Sequence, residues 1–395
     1  MSEQNEIRFA GATRKLYEQT GAPFAIEAHV IDCREVEDGF AVVLDQTVFF
    51  PEGGGQYADT GMLGGAHVKD VQIVGNELLH YTDAPLTVGE TVYGEIDRER
   101  RYTRMQHHTG EHILSGLIHA AYGYENVGFH LSDEEMTMDV SGPLTAEQLR
   151  QIEFAANRVV REHRVVSATY PDEQTLATLP YRSKLELTED VRIVTIEGVD
   201  ACACCAPHVE NTAEVGMIRI AHSISYKGGM RLWVVCGDRA LALWHSEHDA
   251  LDAIARSFSV SRDEALTSVQ RLQKEIGELR GELGQCRREL LLGRVKEGAK
   301  SGERHLLVFD GGSDANVMRY AAEQGASLCE GACAVFSAPE AGVVRYVCIS
   351  DHLPLRAHSK ALHAALGGRG GGSDRMIQGS VPHDESAIRA FFAQI

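Results

Sequence analysis

Short alternations of apolar and polar residues dominate positions 24–95. FAIEAHVIDC, FAVVLDQTVFF, KDVQIVG and ELLHYT each read this way, separated by Gly-containing breaks, as half-buried strands joined by tight connections do. A small antiparallel β unit is expected there. The period changes over 103–122, where Ile113, Leu114, Leu117, Ile118 and Ala121 recur at helical spacing and Gly123 supplies a C-terminal stop. A second helix is predicted over about 146–163, followed by strands near 191–197 and 215–225. Residues 24–240 therefore read as α+β, with helices covering one face of an antiparallel sheet.

From about 239 the pattern is helical, broken near Ser259, and Ser261-x-x-Glu264 forms a capping box for a long second helix. That helix carries a heptad stripe of Val269, Leu272, Ile276, Leu279, Leu283, Cys286 and Leu290. An antiparallel hairpin with the preceding helix and a dimer seam explain the stripe equally well. From about 305, strands (HLLVFD, ACAVFSA, VVRYVCIS) alternate with helices, and a last helix runs into LGGRGGGSDRMIQG, giving a compact α/β domain. The overall class is α+β, divided as 1–95, 96–240, 241–300 and 301–395.

Composition narrows the class further. A chain of 395 residues that is 44% hydrophobic exceeds one ordinary core. No apolar run approaches a membrane span, and MSEQNEIRFAGATRK lacks the apolar core of a secretory signal, so a cytoplasmic location is expected. Nine cysteines, odd in number and irregularly spaced, point to thiols and a metal site and away from a disulfide framework. A net charge of −19 confines nucleic-acid binding to local basic patches such as Arg287, Arg288, Arg294, Lys296 and Lys300.

Two short pairs supply metal donors. His108 and His112 are four apart in QHHTGEHILSG, so on a helix both rings project from one face. Cys204 and His208 lie in CACCAPHVENT, and together the pairs offer the four nitrogen and sulfur donors of a tetrahedral zinc. Within CACC, Cys202 with Cys205 offers a second register. HTGEH also satisfies H-x-x-E-H, a zinc-protease motif in which Glu111 is the base. On a helix Glu111 shares a face with His108, within reach of a water near the metal. Gly53-Gly54-Gly55-Gln56, ahead of Asp59-Thr60-Gly61, is either a tight turn or a place where backbone approaches a substrate closely. Gly367-Gly368-Arg369-Gly370-Gly371-Gly372 carries the same two readings, a flexible loop or an RNA contact.

The order FFPEGGGQYADTG, H-x3-H, GFH and C-x3-H-V-x-N-T-x-E-V-G resembles the editing domain of alanyl-tRNA synthetases and the free-standing AlaX editing proteins. The helical stretch and GGRGGGSDRMIQG look like the DHHA1 domain that follows editing in the synthetase and in long AlaX. The stretch before residue 24 is too short for a domain that activates alanine, so the resemblance implies a hydrolase that edits in trans. It implies one zinc per chain on His108, His112, Cys204 and His208, and deacylation of tRNA(Ala) mischarged with serine or glycine. Such a sieve is needed because an alanine site rejects glycine weakly and an added hydroxyl only about 10²-fold. Glu111, Gln56 and Thr60 become the catalytic candidates, and Gly53, Gly54, Gly55, Arg369, Gly370 and Gly371 the substrate and tRNA contacts. A homodimer through the heptad helix or the C-terminal domain fits the same picture. A non-catalytic, zinc-containing RNA-binding relative is the principal alternative. Three positions depart from the family pattern: Cys205-Ala206-Pro207 stands where Gly-Gly-Thr is usual, Asp133 where glutamine is common, and Ser115 where a third histidine is common.

Overall fold

The computed structural model describes residues 9–133, 135–183, 191–310 and 312–395. They form two compact units, Met1–Ala250 and Leu251–Ile395.

The alternating segment of the first unit closes on itself. Strands Ala25–Val36, Gly39–Leu44, Glu77–Thr82, Ala66–Val74, Gly61–Leu63 and Thr91–Ile96 follow one another in that spatial order around a barrel. In the first strand Ile26, Ala28 and Val30 are buried while Glu27, His29 and Ile31 face out, and closure leaves no unpaired edge. The inward residues, among them Val42, Leu44, Phe49, Leu63, Val68, Leu78 and Val92, make one core. The segment Val48–Thr60, which carries the Gly-rich motif, runs between two of these strands.

Helix α1, Arg98–Tyr122, starts five residues before the position expected from apolar spacing. Its first turn, RERRY, is too polar to show a hydrophobic period, and the start is marked by Asp97, whose side chain accepts from the Arg100 amide. Gly123 ends it in the left-handed region, at φ 68°. The helix lies against an antiparallel sheet of strands Asn126–Leu131, Met136–Val140, Gly229–Cys236 and Ile218–Tyr226. Ile113, Leu114 and Ile118 join Met138, Val140, Leu232 and Val234 in its core, and α2, Ala146–Arg161, completes it. Gly110 allows the close approach of this sheet, since a Cβ there would stand 2.5 Å from the Cys236 sulfur. A second, three-stranded antiparallel sheet, Val166–Thr169, Ile193–Ile196 and Asp200–Ala203, leads directly into Cys204. A short helix, α3 (Glu173–Leu176), lies between its first two strands. Among the described residues the first unit thus holds a barrel and three separate sheets, the smallest formed by Phe9–Ala10, Thr13–Lys15 and Gln46–Thr47, where one sheet was expected. Closing the barrel uses up every edge of its six strands, so the other strands pair outside it.

Helix α4 spans Gly237–Ser257 and α5 spans Arg262–Ala299, with Ser261 and Glu264 in the predicted capping box. The second unit continues as a mixed five-stranded sheet in the order Leu306–Phe309, Cys333–Phe336, Val343–Ile349, Met376–Pro382, Arg369–Gly372, with helices α6 (Ala315–Ala326), α7 (Leu355–Leu366) and α8 (Glu385–Phe392). Two expectations are corrected here. The run GGRGGG is not a loop: Arg369–Gly372 is an edge strand paired with Met376–Pro382. Glycine permits the pairing at this spacing, because a Cβ at Gly370 would stand 2.3 Å from the Gln378 carbonyl oxygen. The last helix is α8, beyond the glycine run, seated by buried Ile388 and Phe392. No helix among the described residues is long and apolar enough to cross a membrane.

Candidate metal centre

Three histidines and one cysteine converge inside the first unit. The ligand atoms of His108, His112, Cys204 and His208 lie within 4.8 Å of one another. Helix α1 presents His108 and His112 from one face, and the chain after Asp200–Ala203 brings Cys204 and His208 up to them. The Cys204 sulfur is 3.5 Å from His108 Nε2 and 3.4 Å from His208 Nε2. A tetrahedral zinc with usual Zn–S and Zn–N bonds places such atoms about 3.6 Å apart. The donors fit the ion before it is added. Cys204, not Cys202 or Cys205, turns its sulfur into this cluster, while Cys202 falls with His112 and Asp200 in a neighbouring group.

Each ring is fixed from behind through Nδ1. His108 Nδ1 meets Gln56 Oε1 at 2.9 Å, His112 Nδ1 meets Asp200 Oδ2 at 3.1 Å, and His208 Nδ1 meets Thr109 Oγ1 at 3.0 Å. An oxygen partner on Nδ1 selects the tautomer whose Nε2 lone pair points forward, the orientation a metal-bound histidine takes. Arg182 holds Asp200 in turn with two hydrogen bonds of 2.8 Å. Arg192 holds the ligand loop by donating to the carbonyls of Cys204 and Ala206, both at 2.9 Å.

The electrostatics of the centre favour the ligand form of Cys204 and of His208. Burial opposes ionisation of the Cys204 thiol, yet the adjacent His108 and His208 rings outweigh it and hold its pKa well below the ordinary value. Burial pushes the His208 ring down to about 3, leaving it neutral. Burial disfavours charge on His112 too, but Asp200 and Cys204 reverse the balance and raise its pKa well above the usual value. Cys202, pushed up by burial to about 11, remains a thiol. The Cys204 thiolate and the neutral His208 ring are ligand forms as they stand, whereas His112 would give up its proton on binding a metal.

Glu111 lies beside the cluster, with Oε2 3.8 Å from His112 Nε2 and with Ser115 and Asn126 donating to Oε1. The Gly-rich motif is a tight turn closed by paired hydrogen bonds between Gly53 and Gln56, with φ of 60° at Gly54 and 83° at Gly55. Positive φ at both central positions explains the glycines. A Cβ at Gly55 would also stand 2.5 Å from the Phe129 carbonyl oxygen, and one at Gly54 3.4 Å from the Cys205 sulfur, so the turn lies next to the ligand loop. Gln56 Nε2 is buried and has no hydrogen-bond partner among the described residues. Thr60 is not brought to the cluster. Its hydroxyl accepts from Arg100 at 2.8 Å, and Arg100 precedes His108 by eight residues, about 12 Å along the helix axis.

The departures from the family pattern have structural partners. Asp133 receives both Arg100 and Arg104, which also donates to the Ala58 carbonyl at 2.6 Å. Ser115 donates to Glu111. Ala206 is fully buried in the barrel core, behind the ligand loop. The sequence pattern does not single out Thr109, Asp200, Arg182 or Asn126. Thr109 sat inside HHTGEH, whereas Asp200 is 88 residues from the histidine it holds and gave no local signal. In the second unit Arg369, Gly370 and Gly371 are exposed, and Gly370 and Gly371 border a cavity of about 580 Å3 with Arg345, Tyr346 and Gln378.

Two family models match the first unit: tRNA synthetases class II (A) over residues 15–100, and the threonyl and alanyl tRNA synthetase second additional domain over residues 191–232. The alanine–tRNA ligase of Pyrococcus furiosus is 33% identical over 402 residues, covering 96% of this chain and 43% of that one. The alanyl-tRNA editing protein Aarsd1-B of Xenopus laevis is 32% identical over 252 residues, 61% of this chain and 60% of that one. The alanyl-tRNA editing protein AlaX-L of Pyrococcus horikoshii is 32% identical over 305 residues, 70% of this chain and 72% of that one. The chain spans less than half the length of the alanine–tRNA ligases it matches. With most of an editing protein's length matched, and with the donor cluster built from the motifs that carry the resemblance, the chain belongs to the alanyl-tRNA editing family of AlaX-L.

Proposed function

We propose that this chain is a trans-editing hydrolase that deacylates tRNA(Ala) mischarged with serine or glycine, with one zinc held by His108, His112, Cys204 and His208. The observation that carries the reading is the convergence of those four donors, each histidine oriented through Nδ1 by its own oxygen partner. Bound there, zinc would be closed by its four protein ligands, so it would lock these side chains together and fix the shape of the pocket beside them.

The remaining roles fall to the chain. Glu111 is a buried carboxylate beside the cluster, 4% exposed, and is placed to accept a proton from the attacking water as the ester carbonyl is attacked. Ser115 and Asn126 bind its other oxygen and keep it aimed. Gln56 grips His108 through Oε1, and its buried, unpartnered Nε2 is a donor for a substrate oxygen. The exposed glycines of the Gly54–Gly55 turn give the aminoacyl-adenosine end a surface that backbone alone defines. Thr60 acts indirectly, by anchoring Arg100. The second unit holds the tRNA body through Arg369, Gly370 and Gly371 and through exposed basic residues near the end of α5, Arg288 and Lys296 among them.

Incubating the purified chain with Ser-tRNA(Ala), Gly-tRNA(Ala) and Ala-tRNA(Ala) tests the proposal. Loss of seryl or glycyl label with alanyl label retained is expected. Retention of all three, by a protein that carries its metal and binds tRNA, would leave the non-catalytic RNA-binding alternative.

A further inference from the structure

The four-stranded sheet of the first unit packs one face on the core and leaves the other open. Met138, Val140, Leu232 and Val234 point into the core behind α1, and the residues that alternate with them lie on the outer face. There the strand registers set four side chains in one row across the sheet: His130 pairs with Thr137, Thr137 with Trp233, and Trp233 with His222. Tyr57, 41% exposed, extends the row past the edge strand, its ring edge-on to His130 with centroids 5.4 Å apart. At the far end the rings of His222 and Trp233 stand 5.2 Å apart, and Trp233 is held by donating from Nε1 to Glu135 at 3.0 Å. His130 and His222 are exposed, whereas Thr137 between the two ring pairs is buried.

Two ring pairs thus flank one small residue. Neighbouring strands lie about 4.8 Å apart, so the backbones of His130 and Trp233, two strands apart, are separated by roughly 9.6 Å. A flat ring needs about 3.5–4 Å to a neighbour on each side, so one nucleobase fits between the pairs over the Thr137 floor.

We propose that this row is a stacking platform for the unpaired nucleotides of an RNA 3′ end, those just before the aminoacylated adenosine, a role that rests on the editing reading above. The row adjoins the metal centre. Strand Asn126–Leu131 is the edge of the sheet. Phe129 in that strand sets its ring 4.7 Å from the ring of His108, and His130 beside it belongs to the row. Tyr57 likewise follows Gln56, which holds His108, and the Gly55 carbonyl accepts from the Leu131 amide at 2.8 Å. A chain lying along the row therefore crosses one strand and the glycine turn to reach the donor cluster. The chemistry selects the occupant, because open aromatic faces on a sheet take unpaired bases whatever their sequence. Lys227, exposed at the turn that joins the two strands of Trp233 and His222, makes no ion pair among the described residues and is left for a phosphate.

The chain has two tryptophans, Trp233 and Trp244, so Trp244→Phe in the full chain leaves Trp233 as the one reporter. Titrating that protein with a short unpaired RNA ending in CCA should quench its fluorescence, and the same RNA annealed to a complement should not. Tyr57→Ala and Trp233→Ala should each weaken binding of the labelled RNA roughly tenfold, and Trp233→Phe should restore most of it. On mischarged tRNA these alanine variants should raise KM and leave kcat near the parental value, as positioning residues do. Tyr57 is exposed, so its variant keeps the test decisive should Trp233→Ala fail to fold. Fluorescence indifferent to the unpaired RNA, equal quenching by the duplex, or parental affinity in the Tyr57→Ala protein would each overturn the proposal. Quenching by the unpaired RNA in a protein that deacylates no mischarged tRNA would support the platform and count against the editing reading alone.

Discussion

The side-chain oxygen of Gln56 lies 2.9 Å from Nδ1 of His108, joining the glycine turn of the barrel to the first ligand of the metal centre. Residues 52 positions apart are thereby made one device: the turn cannot move without turning the ring. Gln56→Ala should weaken zinc binding by about 10- to 100-fold, the usual cost of losing a partner behind a ligand. Gln56→Glu, which keeps the acceptor, should recover most of it. Competition against a chromophoric chelator reads both values, and equal affinity in all three proteins would rule out a positioning role.

The barrel and α1 are also joined by charge. Arg101 and Asp59 are 1% and 2% exposed, and Arg101 donates to the Val48 carbonyl at 2.6 Å as well. Arg101→Ala would strand a buried carboxylate and should destabilise the first unit by about 3–5 kcal/mol. Removing Asp59 in the same protein should recover part of that loss, since the two residues form one coupled pair. Urea unfolding of the two variants checks this, and additive losses would contradict it.

Glu111→Gln separates chemistry from binding. The amide keeps the shape and the contacts with Ser115 and Asn126 in part, but accepts no proton. Zinc content and tRNA affinity should hold while single-turnover deacylation slows by about 10²-fold. An unchanged rate would move water activation away from this carboxylate.

Much of this was legible along the chain because the signals are local. The H-x3-H spacing survives on any helix, Ser261 and Glu264 cap α5 within one turn, and the alternation from Phe24 onward marks strands wherever they pair. What did not show is what depends on closure and distance. Alternation is the same in an open sheet and in a barrel, so the sequence pattern could not tell which would form. The start of α1 was hidden because Arg100, Arg101 and Arg104 make their contacts by charge, leaving no apolar period. Thr60 looked catalytic from its place in the motif, yet its hydroxyl serves Arg100. Asp200 became visible only when the fold brought it to His112.

Acid should loosen the barrel. His80 is fully buried, 2.7 Å from the Thr47 hydroxyl and 3.1 Å from the Val42 carbonyl oxygen, and burial pushes its pKa down to about 4. Below about 6.5 the unfolded chain takes a proton that the folded barrel refuses. Stability is therefore present above that pH and lost as pH falls toward 4, by up to about 3 kcal/mol from this group. His80→Gln should flatten the fall in melting temperature over that window. A parallel fall in variant and parent would assign the acid sensitivity to other groups, such as His107, which burial also holds at about 4.

The central claim is that the four-donor cluster is a zinc centre on which editing depends, and one measurement addresses it most directly. Zinc per chain and the single-turnover rate on Ser-tRNA(Ala) should be followed together in the parent and in His112→Ala, before chelation, after it and after zinc is returned. The account predicts one zinc and hydrolysis in the parent, loss of both on chelation, recovery of both with zinc, and neither at any stage in the variant. Full zinc occupancy in His112→Ala, or undiminished deacylation by the metal-free parent, would contradict it.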